Sequence, residues 1–332
     1  MGVGLCRWQP RPDRKLPRMS LLVEDPGLFS TIQDLGRVGH QRIGVPPSGA
    51  LDGLALRMGN AVLGQAQNTA ALEMCRVGVR LVVRAASVRF CVTGADAPIT
   101  LGGVALAPWQ SHTARRGQSL QVGRIRGGAA YLCVLGGFAL APVLGSLSTY
   151  TRAGFGGFEG RRLATGDMLP LTLSEAPATP ERLLPHPVPA ERARPLRVLL
   201  GPHAEMFTEV AIRTLLTEPY QVTNNADRLG MRLHGPALEH AGAKEIVSDG
   251  NNTGCLQVPG DGQPIVLMPD RQTAGGYPKI ATIITADLHR LGQALPGSLL
   301  RFEAVAPEQA EVAAWQLEQA VLTAIASIRE TT

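Results

Sequence analysis

Apolar residues along this chain fall into short runs rather than long stripes. Leu21–Val23, Leu81–Val83, Val88–Thr93, Leu120–Gly123 and Ala129–Leu135 are each about one strand long, with Gly102-Gly103 and Gly127-Gly128 punctuating them. Short strands at this spacing predict a closed or sandwiched antiparallel sheet. Helical spacing is confined to a few places. Leu51, Leu54, Ala55, Met58, Ala61 and Val62 share one helix face and Gly64 closes the run, which makes Ser48 a candidate N-cap and Asp52 a favourable first-turn charge. A second set of strands follows: Leu196–Leu200, an extended Gln221–Thr223, and Ile265–Met268, with a helix near Ala204–Leu216 whose face is Phe207, Val210, Ala211 and Leu215. Pro307–Ile328 reads as an amphipathic helix with Leu317, Ala320, Val321, Ala324 and Ile325 on one side.

Composition supports a mainly β chain with some helix (α+β). Its 332 residues include 38 Gly and 25 Pro but only 4% aromatics, which suits many tight turns and argues against a helix bundle. Pro177, Pro180, Pro185, Pro187, Pro189 and Pro195 crowd one stretch, so the chain is expected to divide in five. Residues 1–19 form a disordered basic tail, 20–175 a first β-domain, 176–195 a semi-extended linker, 196–306 a second β-domain and 307–332 a C-terminal helix. Pro296–Phe302 and Arg116–Val122 each carry a Gly turn into a strand, which is compatible with two related β-domains.

The net charge is +5, but the basic residues are scattered and no Lys/Arg block alternates with aromatics, so nucleic-acid binding is not expected. The N-terminal residues lack the apolar core of a secretory signal and no stretch is long enough to span a bilayer. The five cysteines form no Cys-x-x-Cys pair and mostly sit in apolar runs, which predicts reduced core thiols in a cytoplasmic protein. The seven histidines are dispersed without metal-ligand spacing, and no metal site is expected.

Candidate chemistry concentrates after the strand Ile265–Met268. Asp270, Arg271, Gln272, Thr273, Gly275, Gly276 and Lys279 place a carboxylate, a guanidinium, an amide, a hydroxyl, bare backbone and an ammonium on one loop. Together they complement a ligand that is both anionic and amide-like. A polar turn in which the glycines supply positive φ would also fit. Gln33, Asp34 and Arg37 form a second group, in which Asp34 and Arg37 either pair with each other or face a ligand. Arg152 and Arg161 flank Gly156 and Gly157 in a stretch suited to an anion or nucleotide, or to an exposed loop. Asp227 beside Arg228 repeats the carboxylate-arginine theme, Gln257 can recognise an amide, and Ser48 with Gly49 precedes a helix N-terminus. No phosphate-binding P-loop, nucleophile elbow or dinucleotide fingerprint in a β-α-β setting is present.

In order along the chain, Thr31–Arg37, Gly44–Asp52, Val92–Asp96, Leu144–Arg152, Gly156–Arg161, Asp227–Arg232 and Asp270–Lys279 resemble the blocks of the allophanate hydrolase subunit 2 (biotin-dependent carboxyltransferase) family. That family includes the C-type component of bacterial 5-oxoprolinase, KipA-type proteins and half of the carboxyltransferase region of urea carboxylase. The resemblance runs from Ser20 to Phe302 and implies two cyclophilin-like β-barrel domains. It implies a hetero-oligomer with a B-type partner and an A-type one beyond it, and ATP whose Mg2+ arrives with the nucleotide. It also implies opening of 5-oxoproline to glutamate by a complex in which this chain alone is inactive or nearly so. Under this reading Lys279, Arg271 and Arg161 neutralise phosphate and carboxylate charge, while Asp270 and Asp34 orient groups or transfer protons. The alternative is N-carboxylation of a urea-like amide with biotin carried by another protein, since no Met-Lys-Met attachment site is present. A third is a KipA-like regulatory binder without catalysis.

Overall fold

The computed structural model describes residues 19–191 and 193–331. The expected basic tail, Met19 apart, lies outside them.

The first half is a sandwich. One sheet orders its strands Met168–Pro170, Ser20–Asp25, Arg80–Val83, Ser119–Val122, Ile99–Leu101, Val104–Ala105. The other orders Phe29–Gln33, Ala71–Val77, Arg124–Val134, Ser87–Gly94, Ser111–Arg115. Strand alternation sorts their side chains. Phe90, Val92, Leu132 and Val134 turn into the space between the sheets with Leu21, Val23, Leu81 and Leu120. The intervening Cys91, Tyr131 and Cys133 turn to the opposite face. There they meet helix α1, Gly53–Val62, through Leu54, Leu56, Met58 and Val62. Cys91 and Cys133 stand opposite each other on neighbouring strands as free thiols. Burial pushes the Cys133 thiol up to about 12, so it behaves as an inert core residue.

The second half is one eight-stranded sheet: Leu299–Leu300, Tyr220–Ala226, Gly230–His234, Ile265–Leu267, Cys255–Gln257, Lys279–Ile283, Leu196–Leu200, Phe302–Ala304. Its two edge strands, Leu299–Leu300 and Phe302–Ala304, are separated in sequence by Arg301 alone, so the sheet curls until its edges nearly meet. All pairings are antiparallel except Leu196–Leu200 with Phe302–Ala304. Val198, Val222, Leu256, Val266, Ile280 and Phe302 fill its interior. The mainly β expectation holds, with a barrel-like second sheet and a C-terminal helix.

Three helix details differ from expectation. The N-cap of α1 is Asp52, whose Oδ1 accepts the Ala55 N–H at 3.0 Å, while Ser48 occupies a left-handed turn at φ 55° four residues earlier. The helix expected over Ala204–Leu216 is a 3-10 turn at Ala204–Met206 followed by α2, Glu209–Thr217, because the Thr208 hydroxyl caps Ala211 N–H and starts a new helix there. Val210 is therefore 62% exposed, and Ile212 turns to the core instead. A short helix α3, Leu288–Gly292, precedes the last one.

The final helix α4, Pro307–Ala326, ties the halves together. Val321 and Ala324 join the α1 cluster, whereas Ala313 packs on Ile284 and Ala286. Arg57 of α1 holds Glu318 through a two-point ion pair at 2.8 and 2.6 Å. Beyond α4, Arg329–Glu330 pairs with Arg182–Leu183, stitching the Pro-rich segment to the chain's end.

Candidate functional site between the two halves

Arg228 sits at the tip of a second-half hairpin and crosses into the first half. Its Nη1 donates to Glu73 Oε1 at 2.6 Å, its Nε and Nη2 to the two Asp270 oxygens at 2.8 and 3.1 Å, and Nη2 also to the Gly49 carbonyl at 2.7 Å. Glu73 accepts the Leu51 N–H and the Tyr131 hydroxyl, and that hydroxyl accepts the Asp52 N–H. Two buried carboxylates thus share one buried guanidinium, the arrangement that lets charge leave water. Asp270 and Asp52 are consequently parts of the joint between halves. Gln293, just past α3, adds a second joint by donating to Asp52 Oδ2 at 2.7 Å and accepting the Gly128 N–H at 3.1 Å.

Asp34 is likewise fully engaged. Its Oδ1 accepts Ser146 Oγ, Ser148 Oγ and Gly36 N–H, and its Oδ2 accepts Leu147 N–H, which fixes the 146–148 loop. Arg37 does not pair with Asp34. Its Nη2 donates to the Ser148 carbonyl and its Nε lies 3.4 Å from the Val143 carbonyl, while the guanidinium carbon stands 5.0 Å over the Phe155 ring. Nη1 has no partner although Arg37 is only 2% exposed. Burial pushes this guanidinium below its ordinary pKa, against the pull of Asp34 and Asp270. Gln33 donates through Nε2 to Thr31 Oγ1 and the Thr149 carbonyl, leaving its buried Oε1 free. Ser48 donates its backbone N–H to the Pro269 carbonyl and its buried Oγ is also free.

These three unpartnered atoms lie on segments in direct contact. Arg37 N–H donates to the Pro47 carbonyl at 2.8 Å and Ala50 N–H to the Asp34 carbonyl at 2.8 Å, so 33–37 runs along 47–50. The glycine-dense loop closes over them. A Cβ on Gly156 would lie 2.1 Å from the Ser148 carbonyl and 2.9 Å from Arg37 Nη2, so only glycine lets the loop lie this close to the guanidinium. Gly157 N–H donates to the Leu147 carbonyl at 2.9 Å.

The other expected residues have their partners within the fold. Arg271 donates to the Asn251 carbonyl, Thr253 Oγ1 and, at 3.5 Å, Gln41 Oε1. Gln257 donates to Asn251 Oδ1 and the Tyr277 carbonyl, and Gly275 lacks a Cβ because one would stand 2.8 Å from Gln257 Nε2. Gly276 offers its carbonyl to Ile246 N–H, and Thr273 offers its own to Asn251 N–H. Gln272 is exposed. Lys279 is 1% exposed and donates to Asp249 Oδ2 at 2.6 Å and the Gly250 carbonyl at 2.7 Å. Asp227 is an exposed turn residue whose Oδ1 accepts Leu229 and Gly230 N–H. Arg161 is held by both oxygens of Asp167 at 2.8 Å and by Glu159 at 2.7 Å, while Arg152 is exposed. Among the described residues no three His, Cys, Asp or Glu side chains gather as a metal ion would need.

Sequence reasoning missed Glu73, Asn251, Asp249 and the Ser146/Ser148 pair. Glu73 carries a usable signal, a lone charge inside the apolar run Ala70–Met74. Asn251 and Asp249 carry none.

The carboxyltransferase domain family, subdomain A and B, matches residues 43–304, and this chain belongs to it. Two relatives are named as the C-type component of 5-oxoprolinase. That of Haemophilus influenzae is 39% identical over 85% of this chain and 90% of its own length, and that of Escherichia coli 36% over 86% and 91%. The solved Kluyveromyces lactis urea carboxylase superposes with a TM-score of 0.84 at 28% identity, covering 94% of this chain but 30% of that one. No helix among the described residues is long and apolar enough to cross a membrane.

Proposed function

We propose that this chain is the C-type component of an ATP-dependent 5-oxoprolinase, working with B- and A-type partners to open the lactam of 5-oxoproline to glutamate. The observation that carries this choice is the match to two 5-oxoprolinase components along most of their length and most of this one. The site chemistry supports it. Arg37 Nη1 is a cationic donor, Ser48 Oγ a neutral donor or acceptor, and Gln33 Oε1 an acceptor, all buried and all free. A lactam carboxylate needs that set: a guanidinium for the carboxylate, a hydroxyl for the carbonyl oxygen, and an amide oxygen for the ring N–H. Asp270 and Asp34 then act indirectly, by fixing Arg228 and the 146–148 loop around those groups, and Lys279 and Arg271 hold the second-half loops.

The nucleotide does not fit the stretch expected to bind it. Arg161 is already neutralised, and the N–H groups of Gly154, Phe155, Gly157, Gly160 and Arg161 are spent on carbonyls within the loop and its neighbours. A triphosphate would find only the exposed side chains of Arg152 and Arg162, without a cradle of free N–H groups from those residues, so we assign ATP and its Mg2+ to a partner protein of the complex. The test is co-expression with the neighbouring B- and A-type partners and measurement of ATP-dependent glutamate release from 5-oxoproline. A soluble complex that releases none rejects the proposal.

One observation favours a second reading, carboxyl transfer to a urea-like amide: the superposition on urea carboxylase covers 94% of this chain. The same three free atoms complement an amide, and biotin would arrive on another protein. Substrate-dependent carboxylation that requires a biotin carrier would select it.

A further inference from the structure

Helix α4 carries apolar residues on two sides, where the sequence spacing predicts one. Ala313, Leu317, Val321 and Ala324 face the protein and pack on α1, Ile284 and Ala286. Opposite them, at about 100° per residue, stand Val312, Trp315 and Leu322, which are 53%, 65% and 45% exposed. With the exposed Gln319 and Ala326 they follow one another in alternating steps of three and four residues. That is the seven-residue repeat of a seam between two helices, sustained over about four turns.

The seam is rigid before anything docks on it. Gln309 Oε1 accepts the Ala306 N–H at 2.8 Å ahead of Pro307, and the Ser327 hydroxyl donates to the Ala324 carbonyl at 2.7 Å behind the last turn. The Arg57–Glu318 pair anchors the middle. Association therefore need not order this helix, which lowers its cost.

Turned end for end about Leu317, the seam matches itself. Val312 then meets Leu322, and Trp315 meets Gln319, whose amide oxygen suits the indole N–H that a buried Trp must satisfy. Charge selects the same orientation. Glu308 and Glu311 are exposed near the start of the helix, and in a parallel pair they would face their own copies. Reversed, they lie over Thr323, Ala326 and Arg329, which is exposed just past the helix. Glu330 beside it stands opposite Arg182 in the pairing of the chain's end with the Pro-rich segment. Helix α4 also lies beyond residues 43–304, so partners common to the carboxyltransferase family have the rest of the chain to dock on.

We propose that the Val312–Ala326 face of α4 binds a second copy of this chain, antiparallel, to form a two-fold dimer. One helix seam is smaller than the roughly 800 Å² per partner of a tight interface, so the dimer is weak and exchanges with monomer.

Sedimentation velocity of the full chain from about 1 to 200 µM tests this, with an expected dimer Kd of about 10 µM. Trp315→Glu places a charge near the centre of the seam. It is expected to leave the chain monomeric at about 200 µM with an unchanged melting temperature, since the residue is mostly exposed in the monomer. Glu308→Lys with Glu311→Lys is expected to weaken the dimer about tenfold, because the two-fold axis applies each change twice, and Arg329→Glu added to that pair should recover the loss. A wild-type chain that stays monomeric at about 200 µM overturns the proposal, whether the face is then bare or taken by residues 1–18 or by a partner of the complex. So does a dimer that survives Trp315→Glu, one that the two Glu→Lys changes leave as tight as wild type, or a loss that Arg329→Glu does not recover.

Discussion

The Arg37 group in the first half and the Arg271–Lys279 group in the second contain the same kinds of residue: a buried cation, an amide and close-packed glycine. They differ in what is left over. Lys279 and Gln257 have their partners, and Arg271 reaches Asn251, Thr253 and Gln41. In the first half Gln33 Oε1, Arg37 Nη1 and Ser48 Oγ are buried and unmet. A buried polar group without a partner costs about 1–3 kcal/mol, so a fold keeps several together only where something else repays them. Residue types alone therefore cannot separate a scaffold from a site; the accounting of partners can.

The largest expected effect breaks the scaffold side of this contrast. Arg228→Met strands the Asp270 and Glu73 carboxylates and should lower unfolding free energy by about 3–5 kcal/mol in urea. Adding Glu73→Gln and Asp270→Asn should recover much of that loss. A cost below about 1 kcal/mol for Arg228→Met would mean the joint is held by Gln293 and α4 instead. Next comes the site side. Arg37→Lys removes the planar fork and its free Nη1, and in the reconstituted complex kcat/KM should fall about 100-fold, or roughly 2.7 kcal/mol. Unaltered turnover in that variant would remove Arg37 from the site.

Much of the fold is legible because it is local. The alternation in Val88–Thr93 encodes which face meets the sandwich and which meets α1, and Gly64 marks the end of a helix wherever its partners lie. The site is less legible because its decisive contacts are not local. Arg228 and Glu73 are 155 positions apart, and Gln293 reaches Asp52 across 241. Nothing near Asp270 says that its charge is already matched, nor does anything near Arg37 say that its charge is not. Ser48 illustrates the limit at short range too. A serine just ahead of the helical spacing that begins at Leu51 reads as an N-cap, but its backbone docks on Pro269 of the other half, and Asp52, four residues on, takes the cap.

That same serine sharpens the contrast with a smaller effect. Ser48→Ala deletes an Oγ that no described group uses, so stability should change by less than about 0.5 kcal/mol. Activity of the complex should drop about tenfold, the value of one neutral hydrogen bond to substrate. A loss of stability with full activity would show that Ser48 belongs with Gln257, as a framework residue.

The smallest effect lies at Asp249, where the second half exposes one end of its network. The hydrogen bond from Lys279 holds the Asp249 carboxyl below its ordinary value, while the Asp249 side chain is 56% exposed. A carboxyl depressed by folding stabilises the native state above its unfolded pKa of about 3.9 and loses that contribution as pH falls through the lower folded value. Wild type should therefore exceed Asp249→Asn in stability at neutral pH, and the two curves should converge on acidification below about pH 4. Added salt should narrow the gap, because the exposed end of the pair is screened. Parallel acid-denaturation curves would show that Lys279 is held by the Gly250 carbonyl alone, and the Lys279 ammonium would then join Arg37 as a buried cation whose charge no carboxylate meets.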